Sequence, residues 1–330
     1  MSGLHSRIEG IWWSRSEPPL LLRLLEPLYH CISSRNLNRR ARQTVEPPLP
    51  LISVGNITAG GSGKTPFVIW LAHALKAEGY SPVILCRGDG GKNAMPTLID
   101  KQADPAVVGD EARLLADLSG CPVIAAKDRI AGSQMAKGMG DIIILDDGFQ
   151  YRHLKRSCDI VLVPGEGVGN GHLIPAGPLR EPIEALVRAD IVIRTGDAAE
   201  LEQPSPLSTG GEWHWQSKAT ELIDLMNSGA ELPSSVYAVT AIARPQRFFD
   251  SLTTSGFELS GTKSFPDHHC FSQQEVDAML HQPNVAVTGK DAVKLAPNWP
   301  KGRPLWLLKL EGIGPPGLIK AILKNLKIRP

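Results

Sequence analysis

Cysteines are few in this sequence, and none are closely spaced. Five cysteines are scattered along 330 residues, with an odd count and no Cys-x-x-Cys motif. A disulfide framework or a structural zinc site requires paired or clustered cysteines, so this pattern argues against both. We therefore expect reduced thiols in a cytosolic compartment, most of them acting as small core residues.

Long hydrophobic runs are also missing. Charged residues interrupt each apolar stretch before it reaches the ~18 residues that a membrane span needs. At the start of the chain, Arg7, Glu9 and Arg15 break the pattern of a signal peptide. The sequence thus predicts neither a transmembrane segment nor a secretion signal.

The chain has almost no net charge, but its charges are unevenly placed. A formal charge of +1 gives no general attraction to nucleic acid, and we expect none as a partner. Residues 1–42, however, carry seven arginines, no lysine and only three acids, and residues 20–32 predict a leucine-rich helix preceded by Trp12 and Trp13. This combination is typical of a helix at a membrane surface. The alternative is a helix packed on the protein itself, with a solvated basic tail.

A strand, a glycine turn and a helix are predicted in succession from residue 49. The apolar run 49–54 predicts a buried strand that ends at Gly55. The following turn contains Gly60, Gly61, Ser62, Gly63, Lys64 and Thr65. Glycines let several N–H groups converge on an anion, a lysine adds positive charge, and a threonine hydroxyl suits a Mg²⁺ shell. Apolar residues at helical spacing beyond Pro66 place the turn at a helix N-terminus, which favours phosphate.

This turn departs from two known patterns. Thr58 stands where the strict phosphate loop has its first glycine, and Ala59 stands where the MinD and nitrogenase-iron-protein class has its signature lysine. An ordinary strand-turn-helix corner is the alternative interpretation.

A second candidate site lies at residues 141–150. Four apolar residues run into Asp146 and Asp147, which predicts a buried parallel strand with two carboxylates at its ligand-binding end. The alternative is a strand followed by a common Asp-Gly turn. The two candidate sites together predict an ATP or GTP site with Mg²⁺.

Alternating strand and helix patterns predict an α/β fold with a P-loop NTPase-like parallel sheet domain and a second, smaller α/β domain. We expect a membrane-associating segment over residues 1–42, a P-loop domain over 43–205 and a smaller domain over 206–330 that closes over the cleft. The terminal helix is expected either there or packed back on the first domain. The polar stretch 196–220 marks the boundary, and the Gly- and Pro-rich residues 165–182 predict a functional loop.

Seven segments resemble, in order, the motifs of the tetraacyldisaccharide 4'-kinase family of lipid A biosynthesis. They are SVGNITAGGSGKTP, VGDE, ILDDGFQ, GNGHLIPAGPLREP, TAIARPQRFFD, FPDHH and TGKDAVK. The resemblance covers roughly residues 48–295, and PAGPLREP beside the phosphate loop is its most specific part. It implies transfer of the ATP γ-phosphoryl to the 4'-hydroxyl of a tetraacylated glucosamine disaccharide 1-phosphate. We expect a monomeric, peripheral enzyme at the cytoplasmic face of the inner membrane.

The same resemblance implies roles for individual residues. Ser62, Lys64 and Thr65 match phosphate and Mg²⁺ ligands, Asp110 matches the catalytic base, and His268 matches the partner that orients this base. The acidic residues that match groups around metal and substrate are Glu111, Asp146, Asp147 and Glu181. The basic residues that match groups near the phosphates are Arg129 and Arg180. Without the resemblance, Asp110 would be interpreted as a helix N-cap and His268 as a surface histidine.

Three positions depart from the family pattern. Asp89 replaces an aromatic residue, Gly289 replaces a glutamate, and Tyr151 replaces a histidine. If this region were a strand, His153 would restore the imidazole on the same face. Two other classes remain as alternatives: a MinD-like ATPase switch, which would need the lysine absent at Ala59, and a GTPase, whose guanine-reading motif would need Lys290 one place earlier.

Overall fold

The computed structural model of the protein describes residues 8–326 except 15, 93, 101 and 197–211. Its strands are β1 (Leu51–Asn56), β2 (Pro82–Cys86), β3 (Thr97–Leu98), β4 (Val123–Ala125), β5 (Ile142–Asp146), β6 (Cys158–Pro164), β7 (Ile191–Thr195), β8 (Trp213–Asp224), β9 (Ser235–Thr240), β10 (Glu258–Ser264), β11 (Val285–Val287) and β12 (Trp306–Ile313).

The α-helices in the same residues are α1 (Leu20–Arg42), α2 (Lys64–Ala77), α3 (Pro105–Val108), α4 (Asp110–Ser119), α5 (Arg129–Met135), α6 (Pro245–Thr254), α7 (Gln273–Leu280), α8 (Gly289–Leu295) and α9 (Leu318–Asn325). Two 3₁₀ helices cover Ile183–Arg188 and Ala296–Asn298. Residues 8–12 are also helical.

The strands form one sheet in the order β10-β9-β11-β12-β8-β7-β6-β1-β5-β2-β4-β3. Neighbours are parallel except for the β3–β4 and β8–β12 pairs. Strands β1, β2, β5 and β6 are buried along their whole length, which explains their nearly continuous apolar sequences. The predicted α/β class is confirmed. We call β1–β7 with their helices the first half of the molecule, and β8–β12 with theirs the second half.

The polar stretch 196–220, predicted to be a boundary, is partly a strand, since it contains the first eight residues of β8. Trp213 to Trp215 pair with β7, and the rest of the strand pairs with β12, so the sheet is continuous between the halves. The buried Trp215 packs edge-on against Phe67 of α2. Most residues on the exposed face of β8 are polar, so the alternation of apolar and polar residues that marks a strand is hard to recognise in the sequence. The expected domain boundary at 205/206 lies outside the described residues, and the division into domains stays a prediction.

Helix α1 is longer than the helix predicted over residues 20–32, since it continues through the arginines to Arg42. Leucines near its N-terminus are largely exposed, with Leu21 at 70%, whereas Leu37 is buried. None of the described helices has the length and apolar content that crossing a membrane requires. At the other end of the chain, α9 packs on α2, and its Leu318 and Ile322 are buried in the core that includes Phe67.

Gly55 lies inside β1 and does not end it, contrary to the prediction. The chain leaving β5 passes so close that a Cβ on Gly55 would lie 2.5 Å from Phe149 Cβ and 2.6 Å from Phe149 N. Glycine at this position therefore lets the residues that follow β5 approach the strand from which the glycine turn starts.

Gly55→Ala is expected to lower the free energy of unfolding by about 1–3 kcal/mol, because Phe149 and its backbone must shift. Chemical denaturation of the purified protein measures this change. Gly10→Ala is the control, since a Cβ there meets nothing within 4 Å. Equal stability of the two variants would show that the space beside Phe149 adapts freely.

Candidate active site

The glycine turn follows β1 and starts α2, as predicted. Gly60 and Gly63 have φ values of 96° and 75°, which favour glycine, and Gly63 is the N-cap of α2. The turn is fixed from below: Asn56 Nδ2 donates to Ser62 Oγ at 3.0 Å, and Thr195 Oγ1 donates to Ser62 O at 2.9 Å. A Cβ at Gly60 or Gly61 would meet only open space, so the region above the turn is free for a ligand.

Asp147 lies between two cations beside this turn. Its Oδ1 is 3.4 Å from Lys64 Nζ, and Arg180 Nη1 donates to both of its carboxylate oxygens at 3.1 Å. Burial alone would raise the pKa of Asp147, but Lys64 and Arg180 hold it below its ordinary value. Three of the predicted site residues therefore meet here, and the carboxylate keeps both cations beside the turn.

Asp146, at the end of β5, has a different environment. Burial raises the pKa of its carboxyl to about 7, and the nearby charges of Glu111 and Asp147 add to this rise, while Lys64 opposes it. The Asp146 carboxyl is therefore held in its ionised form less firmly than that of Asp147, at the edge where parallel sheets bind ligands. A divalent cation bound there would favour its ionised form.

Asp110 and His268 meet across the two halves of the molecule. Asp110 is 7% exposed at the first position of α4, and His268 Nδ1 lies 3.1 Å from both of its carboxylate oxygens. Burial alone would raise the pKa of Asp110, but the hydrogen bond and charge of His268, with Lys290 and Lys294, lower it. The hydrogen bond to Asp110 in turn raises the pKa of His268 against the effect of burial. The Asp110 carboxylate is therefore held ionised and oriented.

Two lysines of α8 join this arrangement, and neither was predicted as a site residue. Lys290 forms an ion pair with Glu111. Lys294 Nζ lies 3.7 Å from Asp110 Oδ2 and donates to the carbonyl of His269 at 3.1 Å. Sequence reasoning could have grouped them, because they are four residues apart in the TGKDAVK segment and would lie on one face of a helix. The second half thus contributes three cationic or protonatable groups to two acids of the first half.

Arg129 lies close to the acidic group, whereas Glu181 has partners of its own. Arg129 is 6% exposed, and its charge acts on both Asp146 and Asp147. Glu181 is 4% exposed, pairs with Arg188 at 2.9 Å and accepts a hydrogen bond from Gln150 at 3.2 Å. The Glu181 carboxylate is already paired with Arg188. Glu181 therefore contributes to the site by holding Arg188 in place.

Residues 151–153 do not meet the condition under which His153 would restore the imidazole. They lie in a turn and not in a strand, so the two-residue spacing of His153 does not restore a common face. The Tyr151 ring instead lies under the Arg129 guanidinium, 4.8 Å from ring centre to Cζ, and meets the His153 ring edge-on. The tyrosine therefore supports Arg129 by a cation–π contact. Asp89, another departure, forms an exposed ion pair with Arg87.

The acidic side chains near the glycine turn could contribute to a Mg²⁺ site. Among residues 8–326, outside the gaps named above, no three His, Cys, Asp or Glu side chains form a group that could hold a metal. Mg²⁺ at nucleotide sites keeps waters and phosphate oxygens and needs only one or two carboxylates. The Thr65 hydroxyl at the start of α2 and the neighbouring carboxyl groups of Asp146 and Glu111 therefore suit such an ion.

A cavity of about 320 Å³ lies between α1 and the first half. Polar side chains from both walls face it, including Asn36, Arg40, Gln150 and Arg180. Because Arg180 also contacts Asp147, the cavity adjoins the phosphate-side cations. It offers space for a polar ligand next to the glycine turn.

Most of the chain matches a known protein family. The family model described as tetraacyldisaccharide-1-P 4'-kinase matches residues 19–327. The chain is 39% identical to the tetraacyldisaccharide 4'-kinase of Azoarcus sp. over 297 residues, covering 87% of this chain and 86% of the relative. It is 36% identical to that of Chromobacterium violaceum, covering 98% of both chains.

A solved structure is also similar over nearly the whole chain. It is the crystal structure of LpxK from Aquifex aeolicus in complex with ATP, with a TM-score of 0.74 and 28% identity, covering 92% of this chain and 97% of that one. From the match over most of its length, the chain belongs to the tetraacyldisaccharide-1-P 4'-kinase family.

Proposed function

We propose that this protein transfers the γ-phosphoryl of ATP to the 4'-hydroxyl of a tetraacylated glucosamine disaccharide 1-phosphate in lipid A biosynthesis. The observation that carries the proposal is the buried carboxylate of Asp110, held by His268. Its neighbour Glu111 acts on Asp146, whose carboxyl also feels the charge of Lys64 in the glycine turn. Membership of the family indicates the acceptor, and the charged groups around the glycine turn suit phosphoryl transfer.

Asp110 acts as the general base. A sugar hydroxyl is a weak nucleophile, so it needs a carboxylate within hydrogen-bond reach that takes its proton during transfer. The His268 ring fixes the direction of this carboxylate and keeps it ionised. Because the two residues come from different halves, the base is complete only when the halves are together, which limits ATP hydrolysis without acceptor.

The glycine turn and its cations bind the triphosphate. Its N–H groups and the N-terminus of α2 face the phosphates, and the residues assigned to this contact are Gly60, Gly61, Ser62, Gly63, Lys64 and Thr65. Arg180 and Arg129 balance the negative charge that develops during transfer. In this arrangement Asp147 holds Lys64 and Arg180 at the turn until ATP is bound.

Mg²⁺ is the proposed cofactor, and when bound it neutralises phosphate charge. Thr65, Glu111 and Asp146 suit its coordination shell, directly or through water. Asp147 and Glu181 act through the ion pairs they make with Lys64 and Arg188. Lys290 already pairs with Glu111, so a Mg²⁺ ion bound there would compete with this lysine of α8 for the carboxylate.

The proposed location is the cytoplasmic face of the inner membrane, with the protein bound as a peripheral monomer through residues 1–42 and without a nucleic acid partner. The exposed leucines of α1 support this placement, since they would enter the acyl boundary while arginines at its C-terminal end meet lipid phosphates. The acceptor's acyl chains then stay in the bilayer. Its sugar enters the cavity between α1 and Arg180.

Asp110→Ala is expected to lower kcat by about 100-fold or more while leaving the Kd for ATP nearly unchanged, because the base acts on the acceptor. Phosphorylation of the acyl disaccharide by the purified protein measures kcat, and calorimetry measures ATP binding. Equal losses in turnover and ATP affinity would remove Asp110 from the base role. Release of ADP by the unaltered protein without a bisphosphorylated lipid would contradict the proposed function itself.

His268→Ala is expected to move the acid limb of the kcat/KM profile to higher pH. Burial raises the pKa of Asp110 and His268 lowers it, so without the imidazole the pKa is higher, even with Lys290 and Lys294 still in place, and the carboxylate is protonated at higher pH. Activity is then lost sooner as the pH falls. The control is His281→Ala, an exposed histidine bound to its own helix, which should leave the limb in place. An unmoved limb in His268→Ala would mean that this histidine does not act through Asp110.

Replacing Leu21 and Leu24 with serine is expected to lower co-sedimentation with anionic phospholipid vesicles on the order of 10-fold, because two exposed leucines no longer enter the bilayer. Turnover of detergent-dispersed acceptor should persist. Leu232→Ser, equally apolar and 63% exposed in the loop before β9, is the control. Unchanged sedimentation of the double variant would argue for the alternative of a helix that lies only on the protein.

A further inference from the structure

The loop at residues 165–182, here called the glycine-proline loop, carries Arg180 and Glu181 but contains neither a helix nor a strand. A segment of this length without regular structure takes its shape from contacts with its surroundings. In this protein many of those contacts come from the N-terminal segment, residues 8–42.

Helix α1 holds the glycine-proline loop near its middle through one carboxylate. Glu26 Oε1 accepts a hydrogen bond from Leu173 N at 2.8 Å, and Glu26 Oε2 lies 2.9 Å from His172 Nδ1. Both side chains are about three-quarters buried, at 22% and 27% exposure, so the contact is sheltered from water. Hydrogen bonds to a charged acceptor in such a place are among the stronger ones.

Further contacts lie on either side of this one. Tyr29, almost one turn after Glu26, donates its O–H to the Arg180 carbonyl at 3.1 Å. Ahead of α1, Trp12 Nε1 donates to the Pro175 carbonyl at 2.9 Å, and Asn170 N donates to the Trp12 carbonyl at 2.8 Å. The N-terminal segment therefore forms hydrogen bonds with the loop at several places between residues 170 and 180.

The contact at Leu173 reaches Arg180 through the loop's own backbone. Leu179 N donates to His172 O at 3.1 Å, and Ile174 N donates to Leu179 O at 2.9 Å. Residues 172–174 are thereby paired with the residue that precedes Arg180. A shift of Leu173 would therefore reach the backbone immediately before Arg180, whose guanidinium contacts Asp147.

The position of Glu26 on α1 is unfavourable for a charged side chain that has no partners. Glu26 is the only acidic residue of α1, and leucines on either side of it are exposed, with Leu24 at 67% and Leu28 at 58%. A carboxylate on a helix that faces lipid is unfavourable unless it has partners. Among the described residues, its hydrogen-bonding partners are His172 and Leu173 of the glycine-proline loop, so the placement of Glu26 fits a role in holding that loop.

We infer that Glu26, assisted by Tyr29, is a positioning residue for phosphoryl transfer: it sets the place of Arg180 from the outer side of the glycine-proline loop. The inference rests on the proposed function. It makes α1 a wall of the active site in addition to a membrane contact, so the helix contributes to turnover even when the acceptor is presented in detergent.

Glu26→Ala is expected to lower kcat by about 10-fold with ATP and a detergent-dispersed tetraacyl disaccharide 1-phosphate, because Arg180 loses its alignment. The KM for ATP and vesicle co-sedimentation should change little. Glu17→Ala is the matched control, since Glu17 pairs with Arg23 inside the N-terminal segment, at 3.0 Å, and should leave kcat unchanged. Wild-type kcat in Glu26→Ala would overturn the inference.

A double-mutant cycle then separates positioning from a general structural effect. If Glu26 acts through Arg180, Glu26→Ala should cost little further activity in an Arg180→Ala background. Additive losses would overturn the inference. Hydrogen exchange gives a second readout that does not depend on activity: protection over residues 172–180 should fall in Glu26→Ala and not in Glu17→Ala, and equal protection would contradict it. A wild-type protein that never phosphorylates the acceptor would instead refute the proposed function, leaving the exchange result to be judged separately.

Discussion

This site depends on carboxylates that are buried or partly buried and that cations from distant parts of the chain hold in place. Asp147 is held by Lys64 and Arg180, while Asp110 is held by His268 with Lys294 nearby. Removing such a charge from water is unfavourable unless partners replace the lost hydration. The fold therefore has to bring the glycine turn, the glycine-proline loop and the second half together for the acids to stay ionised.

The local parts of this arrangement were readable from the sequence, because each is encoded by consecutive residues. A run of apolar β-formers predicted β5 and its two carboxylates, and glycines followed by Lys64 predicted the phosphate turn at the start of α2. Strand β8 was missed because five of its twelve residues are exposed and mostly polar, so its composition resembles a linker. Its pairing partners decide its structure, and they lie elsewhere in the chain.

Contacts between distant segments could not be derived from local pattern. His268 and Asp110 are 158 residues apart, and only the family resemblance suggested that they act together. Lys290 and Lys294 were seen as part of a motif, yet their acidic partners depend on how α8 packs against α4. The contact between Glu26 and the glycine-proline loop likewise has no sequence signal, since its main-chain donor carries no side-chain signature.

The structure also explains why the Thr-Gly-Lys-Asp segment is not a guanine-reading motif. Thr288 caps α8, and Asp291 is fully buried, where it accepts hydrogen bonds from Thr240, Thr288 and the backbone of Ala241. Its carboxylate is already occupied in joining α8 to the end of β9. With the family established, the GTPase and MinD-like alternatives have no remaining support.

The unbroken sheet has a mechanical consequence. Strand β8 is hydrogen-bonded to β7 at one end and to β12 along the rest, and Gly312 of β12 lies against Trp70 of α2. Any separation of the halves would therefore have to bend or twist this hydrogen-bonded sheet. Such a movement would be smaller than the rotation that a flexible linker between separate domains allows, so substrates would enter through a narrow opening.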